Sequence, residues 1–159
     1  MPRLPNRRRV LALGTGSLAA GSLATIALRP VAAEAVTRTE TTAQAIRRFA
    51  GDAEIRPGRV HLDLPPLVEN GNAVTITVTV DSPMSGEDHV RRIAVFNDKN
   101  PQANVITVHL GPRAGRAAIT TRIRLADTQR ITAIAETSDG RYWSTSADAI
   151  VTLAACLEG

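Results

Sequence analysis

The stretch AVTITVTVD, residues 73–81, decides how the rest of the chain is read. Val74, Ile76, Val78 and Val80 fall on one side of an extended chain. Thr75, Thr77 and Thr79 fall on the other. An α-helix brings residues three and four apart onto one face, so strict alternation of this kind specifies a half-buried strand. The β-branched content agrees, because such side chains fit a pleated surface.

The same period extends in both directions. RVHLDL (59–64) alternates and stops at Pro65-Pro66, and Glu69-Asn70-Gly71-Asn72 is a turn signal ahead of the key strand. Beyond the loop DSPMSGED (81–88), strands are expected at 90–96, VITVHL (105–110), AAITTRIRL (117–125) and RITAIAET (130–137). RYWSTS (141–146) and AIVTL (149–153) close the series, and residues 97–104 loop through Asn100-Pro101. Ser138-Asp139-Gly140 is a hairpin signal, with Asp-Gly expected in a type I′ turn. About eight short strands with turns every 8–12 residues specify an all-β antiparallel sandwich.

One helix precedes them. TTAQAIRRFA (41–50) carries Ala45, Ile46, Phe49 and Ala50 as an apolar stripe, and Gly51 is the expected stop. Residues 54–58 are expected to form a loop, because Pro57-Gly58 interrupts regular structure.

The amino terminus bears on compartment. Arg7, Arg8 and Arg9 precede a mildly apolar run rich in Ala, Gly, Ser and Thr over residues 11–28, and Val31-Ala32-Ala33 is a small-residue cleavage site. Arg7 and Arg8 supply the pair of a twin-arginine export signal. The alternative, an uncleaved anchor, is disfavoured by glycines and hydroxyl residues in a run at the lower limit for a bilayer span. The expected organisation is a signal peptide (1–33), helix and linker (34–58), sandwich domain (59–153) and carboxyl-terminal cysteine arm (154–159), working in the periplasm.

Removing residues 1–33 takes away five of the 19 basic residues and no acid, leaving 14 basic against 15 acidic. The mature chain is thus near neutral, without the concentrated basic footprint that phosphate contacts require. Arg47-Arg48 and Arg91-Arg92 are read as solvated faces. His61, His89 and His109 lie far apart with no metal-ligand spacing, so no metal site is expected. Neither a G-x-S-x-G elbow nor a phosphate-cradling glycine loop is present. Tyr142 and Trp143 are read as core or rim aromatics.

Cys156 is the single cysteine of the 159 residues, fourth from the last. It cannot form an internal disulfide, and an unpaired thiol in an oxidising compartment must be tolerated or used. Leu153-Ala154-Ala155-Cys156 has the letters of a lipid-attachment box but does not follow an N-terminal signal. Cys156-Leu157-Glu158-Gly159 fails as a prenylation box because Glu158 stands where an aliphatic residue belongs.

The segments ENGNAVTITVTVDSPM (69–84), IAVFNDKNP (93–101) and RIRLADTQRITAIAETSDGRYW (122–143) resemble SoxY, the sulfur-carrier family of periplasmic thiosulfate oxidation. The resemblance runs from about residue 41 to Cys156. It implies an immunoglobulin-like domain that pairs with a second small β protein, SoxZ, as a heterodimer. It implies covalent attachment of sulfur to Cys156 on a mobile arm. A haem cytochrome pair, SoxA and SoxX, would load thiosulfate, a manganese hydrolase, SoxB, would release sulfate, and a sulfur dehydrogenase would oxidise the remainder. The carrier would be their substrate, not an enzyme, and would need no cofactor of its own. The alternative is a SoxYZ-like scaffold for another periplasmic oxidation system, carrying no thiosulfate.

One departure stands out. SoxY chains place two glycines on each side of the cysteine, whereas this chain has Ala154-Ala155 before it and Leu157-Glu158-Gly159 after it. Alanine explores fewer φ values than glycine and brings methyl groups to any narrow channel. From Leu153, three residues reach about 10 Å. Glu158 and the terminal carboxylate would disfavour the thiolate, the reactive form, by like-charge repulsion.

Overall fold

A computed structural model describes residue 38 and residues 40–155 of the chain. Nine strands follow one helix: α1 (Thr42–Ala50), β1 (Ile55–Pro57), β2 (Val60–Asp63), β3 (Leu67–Val68), β4 (Val74–Val80), β5 (Val90–Asn97), β6 (Asn104–His109), β7 (Ala117–Ile123), β8 (Gln129–Thr137) and β9 (Tyr142–Val151). A short 3-10 turn, Pro112–Ala114, lies between β6 and β7. Strands β2-β4-β7 form one sheet, and β1-β9-β8-β5-β6 form the other, with β3 also paired to β9.

Strand β4 obeys its alternation. Val74, Ile76, Val78 and Val80 are buried, with Ile76 and Val78 fully so, while its threonines are exposed or half-buried. Their side chains meet Ile93, Val95, Ile131, Ala133 and Ala135 of the opposing sheet in one core. Each such Val or Ile contributes about 1.5–3 kcal/mol by leaving water. The fold is therefore the all-β sandwich that alternation specifies.

Strand β5 does not alternate, and its neighbours explain why. It lies between β8 and β6, and its other face meets the helix. Ala94 and Phe96 pack with Ala45, Phe49, Ala50, Ile134 and Tyr142 in a second core. Phe49 meets both Phe96 and Tyr142 edge-on, with ring centroids 5.9 Å apart in each pair. Helix α1 starts at a capping box between Thr41 and Gln44 and stops at Gly51, whose φ is 65°. These features satisfy orphan amides at one end and allow the left-handed turn at the other.

Four local readings need correction. Residues 54–58 contain strand β1, which pairs parallel to β9 through Ile55↔Tyr142 and Pro57↔Ser144. Proline is tolerated there because β1 is an edge strand. The separate strands at 141–146 and 149–153 are one strand, β9, in register with β8 from Tyr142 to Ala149. Polar side chains along it are satisfied across the ladder: Arg130 pairs with Asp148 at 2.8 Å and Thr132 with Ser146 at 3.0 Å.

The hairpin at Asp139-Gly140 is not type I′. Among the described residues the positive-φ non-glycines are Arg59 and Met84, so only Gly140 (φ 78°) takes that conformation in this turn. The Gly140 amide donates to Thr137 O, and the Thr137 amide to Arg141 O, at 2.9 Å each. This is a three-residue loop closed by a glycine bulge. Finally, Arg92 is not part of a solvated face, since its guanidinium pairs with Glu136 and lies 4.5 Å from the Phe49 ring centroid.

Candidate functional site

The chain approaches Cys156 along a strapped path. After β9 pairs with β3 through Leu67↔Ile150 and Val68↔Val151, the Thr152 amide donates to Val68 O at 2.9 Å. The Thr152 hydroxyl donates to Glu69 O at 3.1 Å. The next three residues enter a corner made by Gly71 and Leu125. Gly71 N–H donates to Leu153 O at 2.7 Å, Leu125 N–H to Gly71 O at 2.8 Å, and Ala155 N–H to Leu125 O at 2.9 Å. Three chain segments distant in sequence are thereby joined in one hydrogen-bonded ring.

The local sequence builds this corner. Asn70 folds the chain into an Asx turn, its side-chain oxygen accepting from the Asn72 amide at 2.9 Å. That turn brings Gly71 against the carboxyl-terminal segment before β4 begins. Leu125 is fully buried and anchors the second side, while Ala155 is 8% exposed. A Cβ on Gly71 would stand 2.4 Å from Leu125 O, 2.9 Å from Ala155 N and 3.1 Å from Leu153 O. Gly71 has no positive φ, so glycine is needed here for space.

Ala154 and Ala155, read from sequence as the start of the arm, thus belong to the described structure. Cys156, Leu157, Glu158 and Gly159 lie outside the described residues, as do Arg7 and Arg8 and the whole export segment. Leu67, Ile150 and Leu153 are exposed hydrophobics close in sequence or register to this corner.

The histidines do not converge. His61 is exposed and pairs with Asp81 at 2.8 Å across β2 and the end of β4. His109 is exposed at the end of β6. His89 is tied through its backbone to Ser138, with its Nδ1 buried and unpartnered among the described residues. No group of three or more His, Cys, Asp or Glu among the described residues is set to hold a metal ion. Tyr142 is buried in the second core, and Trp143 is half-buried beneath Arg59, whose guanidinium carbon lies 5.5 Å from the ring centroid. The Trp143 Nε1 is buried and unpartnered among the described residues. A groove of about 520 Å³ runs beside α1 and is lined mainly by Glu40, Gln44, Arg48, Gln102 and Asn104.

The role of Gly71 and Leu125 escapes sequence reasoning. Gly71 is explained in advance as a turn residue, and the space it leaves is used by chain 54 and 84 residues further on.

Comparison with known proteins follows the same span. The model of the family described as sulfur oxidation protein SoxY matches residues 46–156. Among solved structures, the sulfur carrier protein SoxY from Chlorobium limicola f thiosulfatophilum superposes with a TM-score of 0.60 at 23% identity, covering 70% of this chain and 96% of that one. The superoxide reductase (neelaredoxin) from Ignicoccus hospitalis superposes with a TM-score of 0.54 at 16% identity, covering 59% of this chain and 80% of that one. A putative superoxide reductase from Thermotoga maritima gives 0.51 at 23% identity, covering 65% and 89%. These likenesses are of fold. No curated protein matches the sequence.

Proposed function

Because the chain belongs to the SoxY family of sulfur oxidation proteins, we propose that it is a periplasmic carrier holding sulfur intermediates covalently on Cys156. The carrying observation is that the family match runs through residue 156, so the lone cysteine is its last residue. The family's carrier chemistry accounts for a thiol that composition alone leaves idle.

In the loading step the Cys156 thiolate and the outer sulfur of thiosulfate form an S–S bond. That removes two electrons, taken by haem iron of the SoxA/SoxX-type cytochrome pair. In the next step water attacks the terminal sulfonate on a SoxB-type hydrolase. Sulfate leaves, two protons are released, and a persulfide remains for a dehydrogenase to oxidise. The protein contributes a nucleophile and a recognisable body, and catalyses nothing alone. Export through Arg7 and Arg8 would deliver it folded, and a SoxZ-like protein would complete a heterodimer.

Mass spectrometry of the protein from its host during growth on thiosulfate tests this reading. Thiosulfonate or persulfide mass on the peptide containing Cys156 is expected, and Cys156→Ser should carry none while retaining its thermal midpoint. An unmodified Cys156 throughout thiosulfate oxidation would overturn it. One observation favours a second reading, a scaffold without cargo: Ala155 is buried where the family has a glycine arm.

A further inference from the structure

One side of the sandwich is open among the described residues. Strand β6 ends the larger sheet and β7 ends the smaller one. Strand β2 packs over β9 and β8, which puts β7 on the β6 side, and residues 110–116 span the two edges. Leu110 N–H donates to Arg91 O at 2.8 Å. Backbone groups alternate sides along an antiparallel strand, so Val108 faces β5 while Thr107 and His109 turn their N–H and C=O groups outward. No other described segment bonds these outward groups.

The side chains along this edge are apolar and incompletely covered. Val105, Ile106 and Leu110, with Ile119 of β7, pack on the first core yet stay half-buried. Edge strands are commonly blunted by lysine, proline or a bulge. Strand β6 has neither lysine nor proline, and its register shift, opposite Val95 and Phe96, leaves Ile106 to His109 in regular pairing.

Charge decides what fits there. Residues 99–126 hold Lys99, Arg113, Arg116, Arg122 and Arg124 and no acidic residue. None of these five forms an ion pair among the described residues, whereas arginines elsewhere, such as Arg48 with Glu40 and Arg130 with Asp148, meet a carboxylate. The near-neutral total thus conceals a one-sided distribution, positive along β6, β7 and the turn between them. A second copy of this chain would bring the same cations against that edge, with no carboxylate in the stretch to answer them.

We infer that the open edge of β6 docks an acidic partner protein through an extended strand. The partner's backbone pairs with Thr107 and His109, and its carboxylates meet Arg113 and Arg116. Main-chain pairing supplies affinity in strand addition, and alternate side chains supply selection. Opposite charge steers the encounter and repels wrong partners. The surface belongs to the folded body, so the inference stands whatever Cys156 carries.

Amide exchange on the protein as its host makes it tests this, with a synthetic strand alternating valine and glutamate as the probe. A strand with lysine in place of glutamate is the control. The glutamate strand should slow exchange at Thr107 and His109 about tenfold or more, and should bind about tenfold more tightly than the lysine strand at low salt. Arg113→Glu together with Arg116→Glu should reverse that preference, and both residues are exposed, so the fold is spared. Thr107→Pro should abolish binding of either strand while keeping the circular dichroism of the unaltered protein, because it removes only an outward donor on an edge strand. Equal binding of the two strands, protection confined to other amides, or no protection at all overturns the proposal. Thr107 and His109 amides already protected in the protein alone overturn it too. Protection that grows with protein concentration would assign the edge to a second copy, and protection independent of concentration to the chain's own remaining residues.

Discussion

Arg92 and Glu136 face each other across β5 and β8, and their side chains form an ion pair beneath helix α1. Glu136 is 12% exposed and Arg92 29%, so water screens the pair poorly. The same guanidinium donates to Phe49 O at 3.3 Å and the Tyr142 hydroxyl at 3.4 Å. It thus joins the helix to the sheet through charge, hydrogen bonds and stem packing. Arg92→Ala should destabilise the domain by about 2–3 kcal/mol, since it strands a largely buried carboxylate. Urea unfolding measures this. A loss below about 0.5 kcal/mol would show that the pair behaves like an exposed one.

Strand β4 offers a register test within two adjacent residues. Val78 is fully buried, so Val78→Asp would bury an unpaired carboxylate and should unfold the domain. Thr77 points to the other face, its hydroxyl 3.0 Å from that of Thr120. Thr77→Asp should cost only about 1 kcal/mol, the loss of one cross-strand pair. Circular dichroism of both variants checks this, and equal unfolding would contradict the register.

Acid stability should depend on the β8–β9 hairpin. The Thr137 hydroxyl, donating to Asp139 at 2.6 Å, holds that carboxyl below its ordinary pKa, assisted by the amide and charge of Arg141. A folded-state pKa below the unfolded one gives stability that is present above the unfolded value. That stability is lost as pH falls through the folded value. Asp139→Asn should therefore be less stable than the unaltered protein at neutral pH, with the gap closing in acid. Unfolding free energies from pH 7 to pH 2 test this, and a gap that widens in acid would reverse the sign.

The proposed export through Arg7 and Arg8 is tested separately. Arg7→Lys together with Arg8→Lys should leave the precursor in the cytoplasm, because the pair of guanidinium groups is what the route reads. Fractionation of cells expressing the variant measures it. Mature protein accumulating in the periplasm would point to general secretion.

Features carried by neighbouring residues were determined by the sequence itself. Alternation from Val74 to Val80 selects the buried face, because successive side chains on a strand must point to opposite sides. Thr41 and Gln44 close the capping box three residues apart, and Asn70 folds the turn onto Asn72 two residues on. The family segments, and with them the cysteine, are legible for the same reason. Only the tertiary structure decided what depends on chain distant in sequence. Arg92 is solvated or buried according to whether Glu136 and Phe49 arrive beside it. Ile55 and Pro57 become a strand because β9 is there to receive them in parallel. Gly71 is a turn glycine until Leu125 and Ala155 close upon it, and then its lack of a Cβ leaves the space their backbone hydrogen bonds need. Local preference acts over a few bonds, whereas excluded volume acts between whatever segments the fold brings together.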